Sequence, residues 1–177
     1  WFERKEAFAL NELGRKAEAE KLLRKILTVK RDWFLVFDLA GVVENEEEKT
    51  QLLAEAALLP GKMEMKLKLY QKLYEHLKNK FPEESALHLC LIAAIREENG
   101  WPVKQELRDE IAKAGIIPVK EGSSTVILKR LMSFWKKFIP AQKFENGIVD
   151  ILFPNNKAGF IKCGDKKYFF KTGNFRG

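Results

Sequence analysis

Apolar residues recur at intervals of three and four through the first 114 residues, which is the spacing of one face of an α-helix. Breakers divide this pattern: Gly14 ends the first predicted helix, Pro60 and Gly61 end the fourth, and Gly115 follows the seventh. The second predicted helix shows the stripe clearly, with Ala17, Ala19, Leu22, Leu23, Ile26 and Leu27. The pattern therefore predicts seven helices packed as an antiparallel array.

Polar residues and prolines predict where several helices begin. Asp32 is the predicted N-cap of the third helix, and the fourth helix follows Asn45. Pro82 and Pro102 occupy the predicted starts of the sixth and seventh helices, where a missing backbone N–H costs nothing. Residues 86–95 are apolar almost all round, which predicts a helix that is buried on several sides.

Residues 115–124 lose the helical period and predict a linker, because Pro, Gly and Ser replace the apolar stripe. Residues 125–139 predict one more helix, whose apolar side differs from the side of its cations. Such a basic amphipathic helix can dock its apolar side on the protein, and we favour this interpretation; contact with phosphates or a membrane surface is the alternative. Its apolar side carries Leu128, Leu131, Met132, Trp135 and Phe138, and its cations are Lys129, Arg130, Lys136 and Lys137.

From Lys143 onward the pattern is that of short strands. Residues 144–153 are rich in Phe, Ile, Val and Leu, and residues 158–163 and 167–171 follow as two shorter predicted strands, each after turn residues. Three short strands joined by tight turns predict a small all-β barrel. The predicted domains are a helical-repeat domain (1–114), a linker with the basic helix (115–142) and the N-terminal part of a barrel (143–177).

The positive charge of the chain lies in its last third. The net charge is +7; residues 121–177 hold 11 Lys and Arg against 4 Asp and Glu, and the preceding residues hold 21 of each. A basic module predicts an anionic partner such as RNA or DNA, and ordinary solubilising lysine is the alternative. Cys90 and Cys163 make no disulfide framework, which favours a reducing, cytoplasmic compartment. No apolar run is long enough to span a membrane, and no membrane partner is predicted.

The first 31 residues resemble the helix–turn–helix unit of a tetratricopeptide repeat. The residues that carry this resemblance are Leu10, Leu13, Gly14, Ala17, Ala19, Leu23, Ile26 and Leu27, and the spacing becomes irregular after them. The resemblance implies an α-helical repeat array whose concave face binds a protein or peptide. A compact helical bundle without a partner is the alternative.

Residues 147–161 resemble the start of a cold-shock domain, and residues 167–171 occupy the place of its later aromatic element. The family implies a five-stranded OB-fold barrel that binds single-stranded RNA or DNA, with the last two strands expected beyond Gly177. It implies that Phe160 and Phe169 stack on bases, that Lys157 and Lys171 neutralise phosphates, and that Gly159 lets a base approach the backbone. The chain departs from the family where aromatic or histidine side chains are usual, at Ile151, Leu152, Ala158 and Lys171.

The sequence offers little support for catalysis. His76 and His88 lie on different predicted helices without metal-ligand spacing, and no phosphate-binding loop or nucleophile elbow is present. His88, on an apolar helix, is predicted to be a core residue. No catalytic residue, cofactor or metal is predicted.

The chain is therefore predicted to be a non-enzymatic binding scaffold. Its helical repeats would hold a protein partner, and its cold-shock-like barrel would contact single-stranded nucleic acid. One alternative is an adaptor in a larger assembly, in which both modules bind protein and the barrel is purely structural. Another is an enzyme whose active site lies outside these 177 residues.

Overall fold

The computed structural model describes residues 2–115, 122–140 and 147–172. The chain divides into two units, residues 1–140 and 141–177. The first is helical and the second holds a small antiparallel sheet, so the predicted combination of an α-helical part and a C-terminal β part is confirmed. Most of the predicted linker and the first residues of the predicted barrel domain lie outside the described residues.

The helical unit contains eight α-helices among its described residues, and seven of them fall within residues 2–113, as predicted. Short 3-10 turns at Met63–Met65 and Lys136–Phe138 precede α5 and follow α8. Consecutive helices from α1 to α7 contact each other in chain order. The helices are α1 (Phe2–Glu12), α2 (Lys16–Val29), α3 (Trp33–Val42), α4 (Glu46–Leu58), α5 (Leu67–Leu77), α6 (Pro82–Glu98), α7 (Gln105–Lys113) and α8 (Ser124–Trp135).

The predicted breakers lie where helices end. Gly14 and Gly115 follow α1 and α7 with φ of 75° and 70°, a left-handed conformation that glycine adopts without strain. The Asn45 side chain caps α4 by accepting a hydrogen bond from the backbone N–H of Glu48 at 2.9 Å. Pro82 is the first residue of α6. These local predictions are confirmed.

One predicted helix start is confirmed and another differs. Asp32 is the N-cap residue of α3, as predicted, although its side chain makes no capping hydrogen bond and pairs with Lys30 Nζ at 2.8 Å. The helix after Pro102 begins only at Gln105, and the Pro102 carbonyl accepts a hydrogen bond from Arg96 at 2.9 Å.

The core of the helical unit is centred on α6, in which every residue from 85 to 93 is buried. Helix α8 packs against α6 and α4, so the predicted docking of its apolar side is confirmed. Leu131 and Trp135 of the predicted stripe are buried, whereas Leu128, Met132 and Phe138 are half-buried. The helix is therefore part of the same core as α1–α7.

Trp135 and His88 join α8 to α6 through a buried hydrogen bond. Trp135 stacks on Tyr70 at 5.9 Å between ring centroids, and its Nε1–H donates to His88 Nε2 at 3.0 Å. Because Nε2 accepts, Nδ1 carries the hydrogen of the neutral ring and faces the carbonyl oxygen of Ser85 at 3.0 Å. Burial lowers the pKa of His88 to about 4. His88 is thus a satisfied core residue, as predicted.

Lys66 closes the C-terminal end of α4, which the sequence pattern does not predict. The side chain is buried, and its ammonium donates to the carbonyl oxygens of Ala56 at 3.2 Å, Ala57 at 3.0 Å and Leu59. Carbonyls at a helix end lack partners within the helix, so a lysine there supplies the missing donors. Burial lowers the pKa of Lys66 to about 8.

The second unit holds three strands in the order β1 (Ile148–Leu152), β2 (Ala158–Cys163) and β3 (Lys166–Lys171), each antiparallel to the next. A bulge interrupts β1 between Val149 and Ile151. The predicted turns are present: Asn156 has φ of 54° and Gly164 has φ of 57°. Three short strands joined by tight turns are therefore confirmed.

Candidate nucleic-acid interface

The sheet register places Phe160 and Phe169 directly opposite each other on β2 and β3. Side chains alternate between the two faces of a strand, so residues paired with or two positions from these share their face. We call this surface the aromatic face. Besides the two phenylalanines, it comprises Ile148, Ile151, Ala158, Lys162, Lys167 and Lys171.

Three phenylalanine rings meet on the aromatic face. The Phe160 and Phe169 centroids are 5.8 Å apart with their planes at 69°. Phe153, in the turn after β1, lies 5.9 Å from Phe160 and 6.3 Å from Phe169. Phe169 is 54% exposed and Phe160 is half-buried. The predicted solvent-facing aromatic pair on adjacent strands is present, with a third ring beside it.

Lysines lie at both ends of the aromatic cluster. Lys162 and Lys167 face each other across β2 and β3 on one side of the phenylalanines, and Lys171 lies on the other side, opposite Ala158. Two like charges directly opposite each other destabilise a sheet, and here Asp150 of the bulge pairs with Lys167 at 2.6 Å. The face therefore combines apolar rings with a net positive charge.

Three of the four predicted contact residues lie on the strands of the aromatic face, and the fourth lies in a turn. Phe160, Phe169 and Lys171 are brought together there. Lys157 is exposed in the turn before β2, where its N–H donates to Asn155 Oδ1 at 3.0 Å and its carbonyl accepts from Thr172. It lies beside the Lys171 end of the sheet, but as a turn residue.

Gly159 has a different role from the predicted one. It points to the face opposite Phe160, where a Cβ atom would lie 2.2 Å from the Ile151 carbonyl oxygen and 3.0 Å from the Phe170 ring. The residue is buried by its own sheet. Glycine is therefore required here because β1 and the Phe170 ring of β3 both lie close to β2. These neighbours leave no room for a base at this point.

The opposite face of the sheet is also apolar. Ile161 faces Tyr168 there, and Gly159 faces Phe170, as the predicted alternation requires. Val149, Leu152 and Tyr168 are 54%, 48% and 47% exposed. Among the described residues of this unit, no side chain covers that face.

Several contributors to the aromatic face were missed from sequence. Lys162 and Lys167 follow from the two-residue period, counted outward from Phe160 and Phe169. Ile151 reaches this face because the bulge shifts its register, and the sequence carries no clear signal for that shift. Phe153 lies outside the strands, so alternation does not predict its position.

The helical unit has an apolar cavity of about 210 Å³ between α1 and α3. Phe8, Phe37 and Leu53 are among its lining residues, and Arg4 and Asp38 form an ion pair at its wall. Arg4 also lies 5.0 Å from the Phe8 ring centroid and 4.7 Å from that of Phe34. Burial raises the pKa of Asp38, and the hydrogen bond from Arg4 opposes that rise.

The two histidines are apart and engaged separately. His76 Nε2 lies 2.7 Å from Thr50 Oγ1, and burial lowers the His76 pKa. Across the described parts of the chain, no three His, Cys, Asp or Glu side chains gather as a metal site requires. None of the described helices has the length and apolar character that crossing a bilayer demands.

The protein is therefore of a mainly helical class, in which an array of helices is followed along the chain by a small antiparallel sheet. One face of that sheet is basic and aromatic. The chain belongs to a family described as a domain of unknown function (DUF7017), which matches residues 1–124. The match covers α1–α7 and reaches the first residue of α8. No curated protein and no solved structure matches the chain.

Proposed function

We propose that the aromatic face binds single-stranded nucleic acid, in the manner of a cold-shock domain. The observation that carries this proposal is the directly opposed Phe160–Phe169 pair, in which Phe169 is exposed and Phe160 half-buried, with lysines at both ends. Bases stack on such rings with roughly 1–3 kcal/mol each, and lysines neutralise the phosphates between them. Stacking accepts every base, so binding should depend little on sequence.

The proposal includes a cold-shock-like classification for the sheet. Its three strands would be the first strands of a five-stranded barrel, and the apolar face opposite Phe160 would face the barrel interior. The antiparallel order β1-β2-β3 and the bulge in β1 support this assignment. Three rings, of which only Phe169 is more than half exposed, give a smaller stacking platform than a full aromatic strand pair, so we expect modest affinity.

For the helical unit we propose a tetratricopeptide-like array that holds a protein or peptide. The cavity between α1 and α3 supports this, because the first helices of successive pairs line the concave side of such arrays. Ala19, Leu23 and Leu27 of the resembling residues are buried, whereas Leu13 and Ala17 are exposed. The protein would thus be a non-enzymatic, cytoplasmic scaffold that joins a protein partner to nucleic acid.

Binding of a fluorescently labelled single-stranded oligonucleotide, measured by anisotropy across a salt series, tests the proposal. Phe169→Ala should weaken binding roughly ten-fold, because one stacking platform is lost. Phe2→Ala is the matched control: it removes the same ring from a residue that is 86% exposed, but that lies on α1 of the helical unit. The control should retain wild-type affinity, and RNA and DNA versions of one sequence show which is preferred.

The alternative is an adaptor in which both modules bind protein. The apolar exposure on the second face of the sheet favours it, since exposed apolar surface is typical of protein contacts. Wild-type protein that shows no salt-dependent oligonucleotide binding, or equal losses in Phe169→Ala and Phe2→Ala, would support the adaptor and overturn the nucleic-acid proposal.

A further inference from the structure

The exposed side of α8 and its following 3-10 turn carries a row of cations. Lys129, Arg130, Lys136 and Lys137 are all exposed, and their spacing of one, seven and eight residues places them on one side of a helix. We call these four residues the basic stripe. Residues 122–140 contain no Asp or Glu, so no acid of the same segment offsets them.

The basic stripe is held in place by the other side of the helix. Ile127, Leu131 and Trp135 are at most 1% exposed, packed into the core with α4 and α6. The helix therefore cannot turn without losing a buried aromatic stack and a buried hydrogen bond. Its cations are presented to solvent by a rigid element, which lowers the entropic cost of binding a ligand.

A second basic segment lies beside the end of α8. The Phe81 ring packs against Phe134 at 5.4 Å and Phe138 at 5.6 Å, which brings the turn between α5 and α6 to this place. Lys78 and Lys80 of that turn are exposed, immediately before Phe81. Two further exposed lysines therefore lie on a turn that contacts the end of α8.

These lysines differ from three arginines in the first part of the helical unit. Arg15, Arg24 and Arg31 all pair with glutamates. By contrast, no described carboxylate forms an ion pair with Lys78, Lys80, Lys129, Lys136 or Lys137. Lys137 instead lies over the Phe134 ring at 5.6 Å. A phosphate that bound these five lysines would therefore displace no described ion pair.

We infer that the basic stripe is a second nucleic-acid contact of this protein, one that binds the sugar–phosphate backbone and no bases. A membrane fits less well, because α8 has already buried its apolar side and Val126 is its one large apolar side chain exposed among the described residues. Lysines at a rigid surface neutralise phosphates irrespective of sequence. The inference shares its ligand class with the proposed function, but it concerns different residues.

The experiment is oligonucleotide binding by the full chain with Lys129, Lys136 and Lys137 all changed to Gln. Each lost phosphate contact should lower the slope of log K against log salt by about 0.7 for a single strand, so the triple variant should lose up to about 2. Affinity at low salt should fall roughly ten-fold. The matched control changes Lys5, Lys16 and Lys21, which are equally exposed on α1 and α2, to Gln; it should leave the slope near its wild-type value.

The outcomes separate this inference from the proposed function. A reduced slope in the triple variant, with no effect of Phe169→Ala, would support the stripe and overturn the aromatic face. Equal slopes in the triple variant and its control, with weaker binding by Phe169→Ala, would overturn the stripe alone. Wild-type protein that binds no oligonucleotide would overturn both proposals. If the basic stripe were needed for binding to anionic vesicles but not for binding to oligonucleotides, the inference about the stripe alone would be overturned. Thermal unfolding should be unchanged in both lysine variants, because all six side chains are exposed.

Discussion

Each unit of this protein contains a cluster of three phenylalanines, and the two clusters differ in their exposure to solvent. In the helical unit, Phe134, Phe81 and Phe138 lie 5.0–5.6 Å apart. In the sheet, Phe160, Phe169 and Phe153 lie 5.8–6.3 Å apart. The contacts are similar, but Phe134 is 5% exposed and Phe169 is 54% exposed. The first cluster therefore contributes buried apolar area to the core, whereas the second leaves apolar area exposed to solvent.

Polar groups follow the same division. In the helical unit, His88 and Lys66 are buried with every polar atom engaged, and no buried side-chain nitrogen or oxygen lacks a partner within the described residues. In the sheet, Gly159 is the single buried residue between 147 and 172. A surface with so little interior of its own is typical of a contact element, whereas the helices hold a self-sufficient core.

The largest expected effect comes from truncating the same residue type in both clusters. Phe134→Ala should lower the free energy of unfolding of the helical unit by about 3–5 kcal/mol, because it leaves a cavity in the core. Phe169→Ala should change that stability by less than about 0.5 kcal/mol, since its ring is exposed on the other unit. Urea unfolding followed by helical circular dichroism measures both. Comparable losses in the free energy of unfolding for the two variants would contradict this difference between the clusters.

The next effect is a pH dependence that belongs to the helical unit. Burial lowers the pKa of His88 to about 4, so below its ordinary value of 6.5 the unfolded chain binds a proton that the folded chain does not. The contribution of neutral, buried His88 to the free energy of unfolding is therefore fully present above about pH 6.5. It is lost as the pH falls through 4, and the loss amounts to about 3 kcal/mol in total. Unfolding free energies measured between pH 7 and pH 4 should show this decline.

His88→Gln is the control for that decline. A glutamine oxygen can still accept the hydrogen bond from Trp135 Nε1, but it does not titrate. The variant should lose most of the pH dependence and keep a smaller slope of the same sign from His76, whose pKa is also lowered by burial. An unchanged slope in His88→Gln would show that the acid sensitivity arises elsewhere.

Gly159→Ala should act on the sheet alone. Its Cβ would lie 2.2 Å from the Ile151 carbonyl, so β1 must shift away from β2, at a cost of about 1–3 kcal/mol. Oligonucleotide affinity should fall while the helical unfolding transition is retained. The comparison variant is Gly164→Ala, where no atom lies within 4 Å of the new Cβ and the cost is confined to backbone strain at φ of 57°. Equal affinities in the two variants would contradict the packing role of Gly159.

The helices were predictable because their signals are local. Gly14 and Gly115 end helices through their own φ angles, and Asn45 caps α4 three residues away. Asp32 is the N-cap residue of α3, as predicted, although its carboxylate pairs with Lys30 and makes no capping hydrogen bond. Lys66 was not predicted because it reaches carbonyls seven to ten residues earlier, and no local pattern specifies such a contact.

The candidate site was only half predictable for a similar reason. Alternation along β2 and β3 places Phe160, Phe169 and Lys171 together, and the sequence contains that period. The bulge that brings Ile151 to the same face depends on pairing between strands, and so does the close contact that fills the space at Gly159. Pairing is a long-range property, so one strand read by itself does not specify it.

The smallest effect tests Asp150, a carboxylate that pairs with a lysine of the aromatic face. Asp150 pairs with Lys167 at 2.6 Å, and Lys167 faces Lys162 across the strands. Asp150→Asn should destabilise the sheet by less than about 1 kcal/mol, because exposed ion pairs contribute little. The same change should raise oligonucleotide affinity about two- to three-fold at low salt, since it frees Lys167 for phosphate, and the gain should disappear at high salt. A variant that bound more weakly at every salt concentration would indicate that Asp150 holds the face in shape and that its charge matters less. In that case the substitution would lower the stability of the sheet and its affinity for the oligonucleotide together.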